Sequence, residues 1–69
     1  MNDGTHLLVI KNPKALERLF EPDTCCSLIA SSAKKGELIE GGDAMVARDE
    51  LIESGFKWGK DFYIRKVKD

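Results

Sequence analysis

GFKWGKDFYIRKVK, residues 55–68, holds four of the chain's five aromatic residues and five of its eleven basic ones. Phe56, Trp58, Phe62 and Tyr63 are interleaved there with Lys57, Lys60, Arg65, Lys66 and Lys68, so one segment carries much of the apolar payload together with much of the positive charge. Trp58-Gly59-Lys60 reads as a turn. Residues 61–68 (DFYIRKVK) then have the aromatic and branched composition of a strand, with Phe62 and Ile64 on one face and Tyr63, Arg65 and Val67 on the other. A closing strand needs a partner, and the other end of the chain offers one. Residues 5–11 (THLLVIK) form a short apolar run followed by Asn-Pro, which suits a strand better than a helix. Leu7 and Val9 fall on one face and Leu8 and Ile10 on the other, which predicts an inner strand buried from both sides. The simplest assembly pairs the first and last strands antiparallel under a layer of helices, an α+β domain with two or three helices packed on one face.

Between these strands the punctuation is helical. Asn12 and Pro13 make a helix start, because Asn accepts a bond from an orphan amide and Pro has no amide to satisfy. Ala15, Leu16, Leu19 and Phe20 then share a face, and Pro22 stops the helix near Glu21. A second start is expected at Asp23 or Thr24, with Cys26, Ile29, Ala30 and Ala33 as the inward stripe. Lys34, Lys35 and Gly36 suit a helix end, two cations meeting the negative pole and a glycine free to turn left-handed. The stretch from 36 to 47 forks. Paired Gly41-Gly42 favours a short hairpin across residues 38–46 followed by a helix from near Arg48, whose first turn Asp49 and Glu50 would suit. The alternative is one helix over residues 44–54 capped by Asp43. Either way Leu51 and Ile52 are expected in the core, with Gly55 as the stop and Phe56 packing back on the helix end.

Sixty-nine residues with 42% apolar and 33% charged side chains make one small globular domain, 1–69, with residues 1–4 as a flexible N-terminus. At this size the core exceeds chain entropy by only about 5 kcal/mol or less. The longest apolar run, Leu7 to Ile10, falls far short of the roughly 18 residues a membrane span needs, and the N-terminus lacks the pattern of a signal peptide, so the protein is expected to be soluble and cytoplasmic with no membrane partner. Cys25 and Cys26 are adjacent, a spacing poorly suited to an internal disulfide, and with a single histidine, His6, no metal-ligand set assembles. One of the thiols is expected to serve as a small buried hydrophobe.

Chemistry at the level of catalysis finds little support. His6 has no evident partner, the cysteines lack a CxxC spacing or a neighbouring base, and Gly41-Gly42 matches no phosphate-cradling motif. A chain this short also has little room for a cleft of roughly 300 Å³. No cofactor is implied, and the expected class is a non-enzymatic binder.

The net charge of −1 conceals a division: residues 37–54 sum to −5 and residues 55–69 to +3. On a small domain the plainer reading is two solvated faces that keep it soluble. The sharper reading makes the protein a small regulator or adaptor that binds a protein partner through Glu37, Glu40, Asp43, Asp49, Glu50 and Glu53 and the apolar residues beside them, since an acidic surface steers association with a basic partner. The competing reading is a nucleic-acid-binding module. In it Lys57, Lys60, Arg65, Lys66 and Lys68 contact phosphates while Trp58 or Tyr63 stacks on a base. A winged helix-turn-helix version of it, with a short helix ending at Gly55 followed by turn and strand, has the acidic exposed side of residues 48–54 against it, which would repel the backbone that helix has to enter. A second copy of the chain is a further expected partner, as so small a core gains from burying a sheet edge or an apolar patch.

Overall fold

The computed structural model describes residues 4–68. Their order is β1 (His6–Ile10), α1 (Pro13–Phe20), α2 (Ser27–Lys35), β2 (Leu38–Ile39), α3 (Gly41–Glu53) and β3 (Phe62–Lys66). The sheet runs β2-β1-β3, and both pairs are antiparallel. The α+β arrangement follows the expectation, with the first strand in the centre and the last against it.

Register decides which side chains form the core. His6 lies opposite Lys66, Leu8 opposite Ile64 and Ile10 opposite Phe62. The face carrying Leu8, Ile10, Phe62 and Ile64, with Ile39 from β2, packs against Ala15 and Leu19 of α1, Ile29 and Ala30 of α2, and Ala44, Ala47 and Leu51 of α3. Phe62, Leu8, Leu19 and Leu51 are the largest side chains wholly removed from solvent. Each contributes about 1.5–3 kcal/mol of burial. Alanines at the helix contacts let the helices sit close to the sheet. The other sheet face, with Leu7, Val9, Leu38 and Tyr63, is only half-buried. The inner strand is therefore covered by helices on one side alone, and not on both as its four-residue apolar run suggested.

The first helix starts as its sequence dictates, with the Asn12 carboxamide oxygen accepting from the Lys14 amide at 3.0 Å. The second starts later than expected. Asp23 is drawn to Arg18 at 2.9 Å, and the Thr24 hydroxyl donates back to the Leu19 and Glu21 carbonyls at the end of α1. Both candidate caps are thus engaged with the preceding helix, and α2 begins after Cys26 with no side-chain cap. It closes as expected on Gly36, left-handed at φ 75°, where the Glu37 amide reaches back to the Ser32 carbonyl.

The expected hairpin does not form. Leu38–Ile39 is a strand, but it pairs with Leu7 and His6, and Gly41 already opens α3. The reason lies in spacing: Ala44, Ala47 and Leu51 are all buried, a three- and four-residue recurrence that a strand cannot place on one face. Gly41 also lies against the His6 ring, where a Cβ would come within 3.3 Å of Cε1. Asp49 and Glu50 therefore stand late in α3 and not in its first turn. Ile52, expected in the core beside Leu51, is half exposed because consecutive helix positions point about 100° apart. Gly55 ends the helix at φ 97°, and the Phe56 amide bonds back to the Leu51 carbonyl as its ring packs on the core. Of the N-terminal residues expected to be flexible, Gly4 is buried against the β2 backbone, where a Cβ would clash, and residues 1–3 lie outside the described residues.

Phe62→Ala should cost about 3–5 kcal/mol, comparable with the whole margin of a domain this small, and abolish a cooperative urea transition. Ile52→Ser should shift the midpoint by no more than about 0.5 kcal/mol. Equal losses from the two would mean that α3 is rotated from the orientation described.

Candidate functional site

Two surfaces flank α3, and the residues singled out by charge divide between them. Of the acidic set, Glu37 follows the α2 stop, Glu40 precedes α3 at its N-cap, and Asp43, Asp49, Glu50 and Glu53 lie on the helix. Glu50 is committed internally. Its carboxylate accepts from Arg18 at 2.8 Å, and the same guanidinium bonds Glu21, Asp23 and the Ser54 hydroxyl, tying α1 to the α1–α2 connection and to the C-terminal end of α3. Asp49 accepts from the adjacent Arg48 at 3.2 Å. Glu37, Glu40, Asp43 and Glu53 form no ion pair among the described residues.

What charge counting could not locate is the apolar part of that surface. Met45, Val46 and Ile52 are 55, 51 and 50% exposed, on the side of α3 away from Ala44, Ala47 and Leu51. Asp49 and Glu53 recur among them at helical spacing. The helix is thus apolar on its inner face and part-apolar on its outer one, the pattern of an element with a second neighbour to find. The signal was present in the sequence as apolar residues in excess of one stripe.

The basic, aromatic segment is split by the sheet. Lys57, Trp58 and Lys60 ride on the turn before β3, whose carbonyl-to-amide closure uses Gly59 at φ 83°. Tyr63 and Arg65 occupy the uncovered sheet face, where the Lys11 ammonium lies 5.3 Å from the Tyr63 ring centroid and donates to the Gly59 carbonyl at 3.0 Å. Lys66 faces the other way, beside His6, and Lys68 follows the strand end with its amide on the Thr5 carbonyl. No continuous basic track results. Phe62 is fully buried and Phe56 partly so, as expected of core aromatics, while Trp58 remains half exposed.

Between α3 and the sheet lies a groove of about 240 Å³, lined by His6, Gly41, Met45, Arg48, Trp58 and Lys66 with Ala44 and Ile64 at its base. His6 shares a 2.7 Å hydrogen bond between Nδ1 and the Thr5 hydroxyl. The Trp58 indole meets Phe62 edge-on, with centroids 5.6 Å apart and planes at 75°. Asp61 fixes the turn that presents it. Its carboxylate accepts from the Lys57 amide at 2.8 Å and the Asn12 side chain at 3.1 Å, and its carbonyl accepts from the Lys11 and Asn12 amides. Two wider open grooves, of about 540 and 400 Å³, lie between α1 and α3 and beside β1. The chain therefore has more concave surface than its length suggested, all of it in open grooves. The thiols part company as well: Cys26 is buried, which pushes its pKa up, and Cys25 is exposed.

The Lys57 amide, then the Asn12 side chain, hold the Asp61 carboxyl below its ordinary pKa. A depressed folded-state value means that its stabilising bonds are complete above the ordinary aspartate range and fade as pH falls through the lower folded value. Asp61→Asn should remove that acid-dependent component. The check is Trp58 fluorescence anisotropy across an acid titration: the wild-type indole should loosen on acidification, and the variant should be loose already at neutral pH.

No protein family, no curated protein and no solved structure matches this chain, so its surfaces are read from their own chemistry.

Proposed function

We propose that the protein is a small non-enzymatic adaptor that docks on a partner protein through the solvent face of α3. The observation that carries this reading is the half-exposed trio Met45, Val46 and Ile52 set among Asp43, Asp49 and Glu53. Exposed apolar side chains on a short helix gain from being covered, and carboxylates around them favour a basic surface around the covering groove. Met45 and Ile52 stand seven residues apart, two turns along one side of the helix, a spacing of anchors that the helix-in-groove mode uses. Glu40 extends the acidic rim at the helix start, whereas Glu50 belongs to the internal Arg18 clamp and Glu37 stands before β2. Two free thiols suit a reducing compartment, which agrees with work in the cytoplasm. A nucleic-acid module using Lys57, Trp58, Lys60, Tyr63, Arg65, Lys66 and Lys68 together is less well supported, because these side chains divide between two faces of the sheet.

Two variants test the docking face. Asp43→Lys with Glu53→Lys should slow capture of the partner from an extract of the source cell and make the residual binding less salt-sensitive, while Val46→Asp with Ile52→Asp should weaken it by about tenfold or more. Both proteins should keep their unfolding midpoints within about 0.5 kcal/mol of the parent. A partner retained equally by all three proteins would remove α3 from the interface.

Self-association has a separate candidate surface in the uncovered sheet face of Leu7, Val9, Leu38 and Tyr63. A dimer formed there would raise the melting temperature with concentration. A midpoint unchanged across a hundredfold dilution would discard it.

A further inference from the structure

We propose that a second copy of this chain covers the Met45–Ile52 side of α3, the two helices lying antiparallel across a two-fold axis that passes between Arg48 and Asp49. This rests on the reading of α3's outer face as a surface made to be covered, and it names what covers one side of that face when the protein is alone. Met45, Arg48, Asp49 and Ile52 recur at intervals of three, four and seven residues and so share one side of the helix. All four reach solvent. Met45 and Ile52 are half exposed, and the side chains of Arg48 and Asp49 are 40 and 62% exposed. In chain order this side runs apolar, cation, anion, apolar, and in reverse order it is its own complement. Two such helices laid antiparallel set Met45 against the second copy's Ile52 at both ends, and Arg48 against the second copy's Asp49 twice in the middle.

Other arrangements lose this match. Parallel helices would bring Arg48 against Arg48 and Asp49 against Asp49, and like charges opposed in a helix seam select against that pairing. Sliding the antiparallel pair by one turn sets a charged side chain against an apolar one. A foreign basic surface would satisfy Asp49 and leave Arg48 facing its own sign. What meets the whole side is a surface bearing both charges in this order, and the chain itself carries one. Within one copy the two charges are poorly used. Both contacts of Arg48 fall on the same Asp49 oxygen, Oδ1, at 3.2 Å, and neighbouring helix positions do not face each other. An exposed pair of that kind adds little to the monomer, whereas four charges enclosed between apolar contacts are partly withdrawn from water and attract more strongly. Asp43, Val46 and Glu53 fall outside the seam by helical spacing and stay available to a partner protein. One helix from each copy makes a seam at the small end of stable interfaces, below about 1,200 Å² in total, so concentration decides how much dimer is present.

The experiment is sedimentation equilibrium of the intact protein over a hundredfold range of concentration, with reductant present because Cys25 is exposed. Arg48→Asp and Asp49→Arg are run alone and mixed in equal amounts. The parent should pass reversibly from monomer to dimer. Each variant alone should associate at least about tenfold more weakly, because the first puts only carboxylates in the middle of the seam and the second only guanidiniums. Their mixture should restore association, since each then supplies the charge that the other lacks. A dimer made through the uncovered sheet face would ignore all three changes. The proposal is overturned by a parent that stays monomeric across the range, by variants that associate as the parent does, or by a mixture no stronger than its components. If either variant fails to fold, amide shifts of the parent on dilution decide: changes centred on Met45, Asp49 and Ile52 support the seam, and changes centred on Leu7, Val9 and Tyr63 overturn it. Failure here is separable from failure of the docking reading. A monomer that still captures a partner through Asp43 and Glu53 loses only the dimer, and a dimer that captures nothing loses only the docking.

Discussion

Pairing of the chain's two ends is the constraint on which the rest of this structure depends. Residues 6–10 and 62–66 run antiparallel in unbroken register, and at the far end of that ladder the Asp61 carbonyl receives the amides of both Lys11 and Asn12. The Asn12 side chain closes the arrangement twice over, donating to the Asp61 carboxylate and accepting from the first turn of α1. One small knot thereby sets the end of β1, the start of α1, the start of β3 and the turn that displays Trp58. Such pairing is costly to form, since about fifty residues of loop must be closed before the first bond is made. What offsets it is the burial of Leu8 and Phe62 beneath the helices, and that is why Phe62, near the chain's end, is among its most completely buried residues.

Where the chain's reading was simple, each local signal had one outlet. Asn12-Pro13 could only start a helix, Gly36 and Gly55 could only stop one, and the alternation of residues 62–67 could only be a strand with Phe62 and Ile64 inward. Where it failed, a signal had two outlets and a tertiary contact chose. Thr24 is as good at satisfying the carbonyls that end α1 as at capping α2, and proximity to Leu19 decided the matter. Gly41-Gly42 suits a tight hairpin as well as a helix entry pressed against His6, and the alanines that follow, at helical spacing, made the second choice. Neither decision is visible until the sheet is in place.

The candidate surfaces were legible to a different degree. Counting charge located an acidic stretch and a basic one, but a net charge over consecutive residues ignores which way each side chain turns. Glu50 disappears into the Arg18 clamp, Arg65 and Lys66 part to opposite faces of β3, and Arg48, a lone cation in the acidic stretch, joins His6 and Lys66 in a groove that no local window of sequence contains. Those three lie 42 and 18 residues apart along the chain, so only the β1–β3 register and the packing of α3 could bring them together.

The docking face and the groove beside it are not independent in space. Met45 stands at the boundary, half exposed on the outer side of α3 and at the same time part of the groove's wall. Arg48 lies one turn further along the same helix, between the groove and the Asp49 carboxylate. A cation brought to the outer face would have to compete with Arg48 for that carboxylate, so Asp49 adds less to the acidic rim than Asp43 and Glu53, which form no ion pair among the described residues.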